Sequence, residues 1–253
     1  MSLLQSISKP KDGPVICTIT GDAGVGKTSL AATFPKPIFI RAEDGLKAVP
    51  ENIRPDAFPV INAVEDLWSQ GKALLQEDHD YKTLVIDSVT QLETLFAEHV
   101  MESDPKKPKS LAQAMGGYGA GYAAVGALHG RLRKLAKLLT ERKGMNIVFI
   151  AHADTITIEP PDQEAYTKYA LRLHNKSVTH YTDNVDLVAY LKLETFLTGD
   201  SKKKAISDGT RIAVCYTNAA QVSKNRFGID DDIIVPKNEN PLINFIPSLK
   251  AGE

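Results

Sequence analysis

The sequence predicts an α/β fold: a mostly parallel central sheet flanked by helices, with an antiparallel C-terminal extension. Three observations carry that prediction. Apolar runs at residues 15–20, 37–42, 82–88 and 146–151 each read as a short buried strand. Stretches with helical spacing of apolar residues separate them, as crossovers between parallel strands require. Beyond residue 187, strand-like runs at 187–193, 211–216 and 220–224 follow one another without helices, which points to antiparallel pairing at one edge.

The elements follow in order. Residues 1–12 read as a short arm whose Leu3, Leu4 and Ile7 can pack on a neighbour. A core is expected over 13–230 and a tail over 231–253, packing on that core or extending from it. The first strand runs into Gly21-Asp22-Ala23-Gly24-Val25-Gly26-Lys27-Thr28, and Ser29 to Phe34 reads as a helix start ended by Pro35 and Pro37. The second strand ends at Glu43-Asp44-Gly45. Pro50, Pro55 and Pro59 make 48–59 a loop or the approach to a short strand. Val64, Leu67, Leu74 and Leu75 give 61–76 a helical face.

The third strand ends in Asp87, and Leu92, Leu95 and Phe96 mark the helix after it. Between 103 and 126 the pattern breaks. Lys106, Lys107 and Lys109 stand among prolines, and Tyr118 and Tyr122 lie in a glycine-rich run, so the stretch reads as an irregular, mobile loop. Leu128, Leu132, Leu135 and Leu139 define an amphipathic helix stopped by Gly144. The fourth strand ends at His152. A polar loop is expected over 154–176, with Pro160-Pro161, Tyr166, Lys168, Tyr169 and Arg172. Residues 198–204, rich in lysine, split the first two late strands. No internal repeat is visible.

Composition narrows the function classes. With 253 residues, 43% apolar content and a net charge of −1, the chain can bury a sizeable core and has no sequence-wide attraction to nucleic acid. Cys17 and Cys215 sit in apolar runs and read as buried free thiols, which fits a reducing cytoplasm. No apolar run approaches the roughly 18 residues of a membrane span, so a cytoplasmic protein without a membrane partner is expected. The six histidines and two cysteines show no zinc-ligand spacing.

The chemistry gathers at the strand ends. Strand, G-x-x-x-x-G-K-T and helix in succession form a P-loop: backbone N–H groups of Gly21 to Ser29 face a polyphosphate, Lys27 reaches its β/γ end and the Thr28 hydroxyl ligates Mg²⁺. Open parallel sheets bind ligands at the carboxyl ends of their strands, which brings Glu43, Asp87 and His152 to the same edge. Asp87 is placed to hold Mg²⁺ through its water shell. Glu43 or its neighbour Asp44 is the candidate base, and His152 a candidate sensor of the γ-phosphate.

These stretches resemble the RecA-like recombinase core, and most closely the phage-type RecA-fold single-strand annealing proteins. The likeness spans about 13–230 and rests on the P-loop, on Ile38-Phe39-Ile40-Arg41-Ala42-Glu43-Asp44-Gly45-Leu46, on Leu84-Val85-Ile86-Asp87-Ser88-Val89, on Ile147-Val148-Phe149-Ile150-Ala151-His152 and on Val222-Ser223-Lys224-Asn225-Arg226-Phe227-Gly228. The resemblance implies ATP and Mg²⁺ as cofactors, Glu43 rather than Asp44 as the group that activates water, and His152 as a switch where the family commonly has glutamine. It also implies Lys224 and Arg226 as cations reaching a neighbour's ATP in a filament or ring. Its DNA-binding loops would fall at 104–124 and 154–178, with Lys106, Lys107, Lys109, Tyr118, Tyr122, Tyr166, Lys168, Tyr169 and Arg172 as contacts. The implied partners are single-stranded DNA, further copies of the chain and a single-strand-binding protein. The second reading is a P-loop ATPase acting on a protein partner, a helicase loader or assembly factor, with the same loops binding protein.

Overall fold

The computed structural model describes residues 3–9, 12–198 and 204–250. Residues 199–203 of the lysine-rich stretch lie outside them, as do 1, 2, 10 and 11 of the arm and 251–253 of the tail. One main sheet organises the chain. Its first strand β1 (Ile16–Gly21) leads through the P-loop to α1 (Lys27–Ala31), and β2 (Pro37–Arg41) and the short β3 (Asp56–Ala57) follow. Then come α2 (Val64–Gln76), β4 (Thr83–Asp87), α3 (Val89–Ser103), α4 (Ala120–Lys143) and β5 (Asn146–Ile158). The second half holds β6 (Tyr166–Leu171), α5 (Asn175–Thr182), β7 (Leu187–Leu193), β8 (Phe196–Thr198), β9 (Lys204–Ile206), β10 (Arg211–Val214), β11 (Lys224–Asn225), β12 (Ile233–Ile234) and α6 (Pro247–Lys250).

The strand order is β12-β10-β7-β1-β5-β4-β2-β3. From β7 to β3 every neighbouring pair is parallel, whereas β10 and β12 run antiparallel, as does β11 on β7. The expected mixed α/β sheet is therefore the architecture. Every residue of β1 and β4 is buried, as strands covered by helices on both faces require. One core lies under α2 to α5 and includes Leu92, Phe96, Leu132, Leu139 and Phe149. The other lies under α1 and the tail and includes Phe34, Phe39, Leu242 and Ile246. Each such side chain contributes about 1.5–3 kcal/mol on burial. Cys17 and Cys215 are buried free thiols, and burial raises the pKa of both.

The tail packs on the core through Ile233, Val235, Leu242, Ile246 and Leu249. In the arm, Leu4 and Ile7 are 77% and 74% exposed, free of the chain's own core. Gly144 ends α4 as expected: its φ of 67° is left-handed, and its N–H donates to the Leu139 carbonyl.

Four expectations need correction. The polar loop 154–176 is instead a hairpin followed by a helix: β5 continues past the sheet to Ile158 and pairs antiparallel with β6, and α5 begins at Asn175. The alternation Thr155-Ile156-Thr157-Ile158 carries the strand outward, with Pro160-Pro161 in the turn. Second, the irregular stretch 103–126 ends earlier than expected, because α4 starts at Ala120 and takes Tyr122 into its first turn. The loop before it is pinned by buried Asp104, whose carboxylate accepts from the N–H groups of Lys106 and Met115. Third, 220–224 is no continuous strand. Residues 220–222 bond to Tyr169 of β6, and only Lys224–Asn225 pairs with β7. Finally, the run expected over 211–216 pairs only over Arg211–Val214.

Candidate nucleotide and active site

Register, more than any loop, assembles the site. Gly21 pairs with His152, Asp87 with Ile150 and Arg41 with Asp87, so the ends of β1, β4 and β2 reach one edge together with His152 of β5. The strand between the P-loop strand and the Asp87 strand is β5, which centres His152 between them. The P-loop curls at this edge. Gly21 has φ 153°, and a side chain there would meet the Leu191 carbonyl of β7 at 2.2 Å; Gly26 has φ 95° just before α1. Only glycine fits either position.

Lys27 is 6% exposed, and its Nζ donates to the carbonyls of Gly21 (3.0 Å) and Asp22 (2.8 Å). Burial lowers its pKa against the pull of Asp87, Glu43 and Asp22, and nearby Arg172 adds to the lowering. A cation kept this far from water calls for an anionic partner. The Thr28 hydroxyl donates to Asp87 Oδ2 at 2.9 Å, and a side chain at Gly45 would reach to 3.5 Å of that carboxylate and 3.6 Å of that hydroxyl. Burial pushes the Asp87 carboxyl up to about 6, with Glu43 adding to the rise and the Thr28 hydrogen bond opposing it.

Glu43 and Asp44 part company in the fold. Glu43 turns into the site, with Oε1 3.4 Å from His152 Nε2. That hydrogen bond, helped by one from Ser88, holds its carboxyl below the usual range. Asp44 instead forms surface ion pairs with Arg41 (3.1 Å) and Lys47 (2.7 Å). The His152 N–H donates to Thr90 Oγ1, tying β5 to the first turn of α3.

The cavity over these groups measures about 880 Å³ and is lined from Ala23 to Ser29 by the P-loop, then by Glu43, Asp87 and His152. Its far wall comes from Leu193 and from two C-terminal segments, 208–211 and 234–238. Sequence reasoning missed this wall and its cations Arg211 and Lys237, which no local motif marks.

The remaining candidate residues are scattered. Lys106 and Lys109 are exposed, Lys107 donates to the Glu102 carbonyl and Tyr118 is fully exposed. Tyr122 is half-buried and stacks on His174 at 4.3 Å. On β6, Tyr166 and Lys168 share one face, while Tyr169 on the other stacks on Tyr190 at 5.2 Å. Arg172 faces His152 across the ladder, its N–H donating to the His152 carbonyl. Lys224 and Arg226 lie elsewhere, at the start of β7 and hence at the opposite edge of the sheet. Lys224 donates to the Thr182 and Asp183 carbonyls at the end of α5, and Arg226 pairs with Asp186 at 2.9 Å.

A phosphate-cradling loop, a buried lysine and a hydroxyl–carboxylate pair at the edge of a parallel sheet define a P-loop nucleoside triphosphatase. The profile of a family described as AAA domain matches residues 14–227, and the chain belongs to that family of P-loop ATPases. A search of curated proteins finds no match to the chain.

The donor set also fits the metal such a site uses. Mg²⁺ takes one or two protein oxygens and fills its shell with phosphate and water, and Thr28 Oγ1 and Asp87 Oδ2 are adjacent hard oxygens. Asp87 also yields a test with a definite sign. Its pKa is raised in the fold, so without metal its contribution to stability is full below the unfolded carboxylate value and is lost as pH rises to about 6. Asp87→Asn is therefore expected to raise metal-free stability at pH 7 by up to about 3 kcal/mol, and to abolish the extra stabilisation by Mg²⁺ with nucleotide. Thermal melts with and without Mg²⁺ and ATP check both signs.

Proposed function

We propose that this chain is an ATP-dependent single-stranded-DNA-binding protein of the RecA-like recombinase type, acting in homologous recombination or strand annealing. The observation that carries the reading is β5 itself. One unbroken strand runs from His152 in the site out to Ile158, where it pairs with the Tyr166, Lys168 and Tyr169 strand. A change at His152 is thereby a change at the base of an exposed hairpin. Lys106, Lys109 and Tyr118 add exposed cations and an aromatic ring, the chemistry that holds single strands.

Bound ATP with Mg²⁺ supplies the phosphoanhydride and the Lewis-acid charge. Lys27 would neutralise phosphate charge, and Thr28 and Asp87 would hold the metal. Glu43, ionised and oriented by His152, accepts the proton of water. Arg172, opposite His152, links this centre to β6. Lys224 and Arg226 enter as cations given to a neighbour: a copy stacked head to tail would present them from its opposite edge, and the exposed Leu4 and Ile7 of the arm give such a copy an apolar contact.

The test is an anisotropy titration of a labelled oligo-dT across a salt series, with and without a non-hydrolysable ATP analogue. Nucleotide-dependent binding that weakens linearly with log salt is expected, and Tyr118→Ala should cost about 1–3 kcal/mol without changing the fold. Absence of binding in both nucleotide states would remove the DNA reading and favour a protein partner for the same hairpin.

A further inference from the structure

We infer that Glu93 is a positioning residue that couples occupancy of the nucleotide site to the shape of the turn at 115–119. The inference rests on the nucleotide reading of the P-loop and is independent of the DNA reading.

Strain marks the turn. Five consecutive residues have positive φ: Met115 (55°), Gly116 (90°), Gly117 (81°), Tyr118 (52°) and Gly119 (82°). Glycine takes this conformation freely, whereas Met115 and Tyr118 keep it only where their surroundings hold them. Both side chains are exposed, so their own packing does not hold them.

What holds the turn is α3, from both of its ends. Asp104, the C-cap residue of α3, accepts the Met115 N–H at 2.6 Å. Beyond the turn, Tyr122 in the first turn of α4 stacks on the His174 ring at 4.3 Å, with the planes 15° apart. The His174 N–H in its turn donates to both carboxylate oxygens of Glu93 in α3, at 3.0 and 3.1 Å. His174 Nδ1 accepts the Lys176 N–H and caps α5, which fixes the ring that Tyr122 leans on.

The start of α3 is tied to the nucleotide edge. Ser88, next to Asp87, caps the helix, and Thr90 Oγ1 accepts the His152 N–H at 2.9 Å. Glu93 follows Thr90 by three residues, so the two side chains are neighbours on one face. A ligand that meets Asp87 and His152 therefore acts on the end of the helix that carries Glu93. Glu93 is half-buried, yet among the described residues its one hydrogen-bond donor is the His174 N–H, and no lysine or arginine pairs with it. A carboxylate kept from water without a cation costs stability, and Glu93 bears that cost where the nucleotide edge, α5 and the turn meet. A strained turn has a relaxed alternative, so a small shift of α3 is enough to move it between the two.

Amide hydrogen exchange of the full chain, free and with Mg²⁺ and a non-hydrolysable ATP analogue, tests this. Peptides over 21–29 report binding. Those over 114–120 report the turn, where the Met115, Gly117 and Ala120 N–H groups are hydrogen-bonded. In wild type both should respond, the turn by about fivefold or more in exchange rate. Glu93→Ala should keep the response at 21–29 and lose the one at 114–120. Glu93→Gln retains an acceptor for the His174 N–H and should restore it. Tyr122→Leu leaves Glu93 in place and should also silence the turn, which serves if Glu93→Ala does not fold. A silent turn in wild type with 21–29 protected overturns the inference, as does a full response in Glu93→Ala or a silent turn in Glu93→Gln. Absence of protection at 21–29 in wild type overturns the nucleotide reading beneath it.

Discussion

Lys27→Ala is expected to lower nucleotide turnover by at least about 10²–10³-fold, the loss typical when one preorganised group facing transition-state charge is removed. The reason is position. Lys27 is the buried cation of the phosphate loop, and in the free protein its ammonium is held by two carbonyls of that loop. Those bonds keep the loop curled and aim the ammonium at the space a phosphate enters. The same substitution should leave metal-free stability nearly unchanged. It removes two hydrogen bonds, but also a charge whose burial lowers its pKa and so costs stability at neutral pH. A melt without ligand, a melt with Mg²⁺ and ATP, and steady-state turnover separate the two effects: the first stays, and the other two collapse to the ligand-free behaviour.

Glu43→Gln is expected to keep nucleotide binding and to reduce turnover by about 10²–10⁴-fold, the range for loss of a positioned base. The isosteric amide can still meet His152, so the shape of the site survives while the proton acceptor is gone. Asp44→Asn is the matched control. Its carboxylate is spent on exposed ion pairs with Arg41 and Lys47, so turnover should stay within about twofold of wild type. Normal turnover in Glu43→Gln would remove Glu43 from the role, whatever its contact with His152.

Much of this was legible in the sequence because local rules fixed it. The P-loop is a contiguous motif, Gly144 is a helix stop readable from one residue, and the strand-end rule gathers Glu43, Asp87 and His152 without any knowledge of contacts. Spacing left Glu43 and Asp44 open, and only the resemblance favoured Glu43; in the fold the difference between them is not local. It depends on which carboxylate reaches His152, more than a hundred residues away in the chain.

The hairpin was hidden for a related reason. Past His152 the strand leaves the buried sheet, its alternation turns polar, and Pro160-Pro161 with the surrounding acids reads as loop. Helix α5 has only eight residues and buries only Ser177 and Tyr181, too few for a period to show. Arg211 was beyond reach of pattern reading. Its place against Gly26 exists only because β10 pairs with β7 and β7 backs the P-loop strand.

The measurement that bears most directly on the whole account is steady-state ATP turnover of the full chain with and without single-stranded DNA, at low and at moderate salt, with Lys27→Ala alongside. The account predicts a basal rate that single-stranded DNA raises severalfold at low salt and less at moderate salt, with neither rate measurable in Lys27→Ala. Turnover that is indifferent to DNA at both salt concentrations would contradict the coupling of this site to a DNA-bound hairpin.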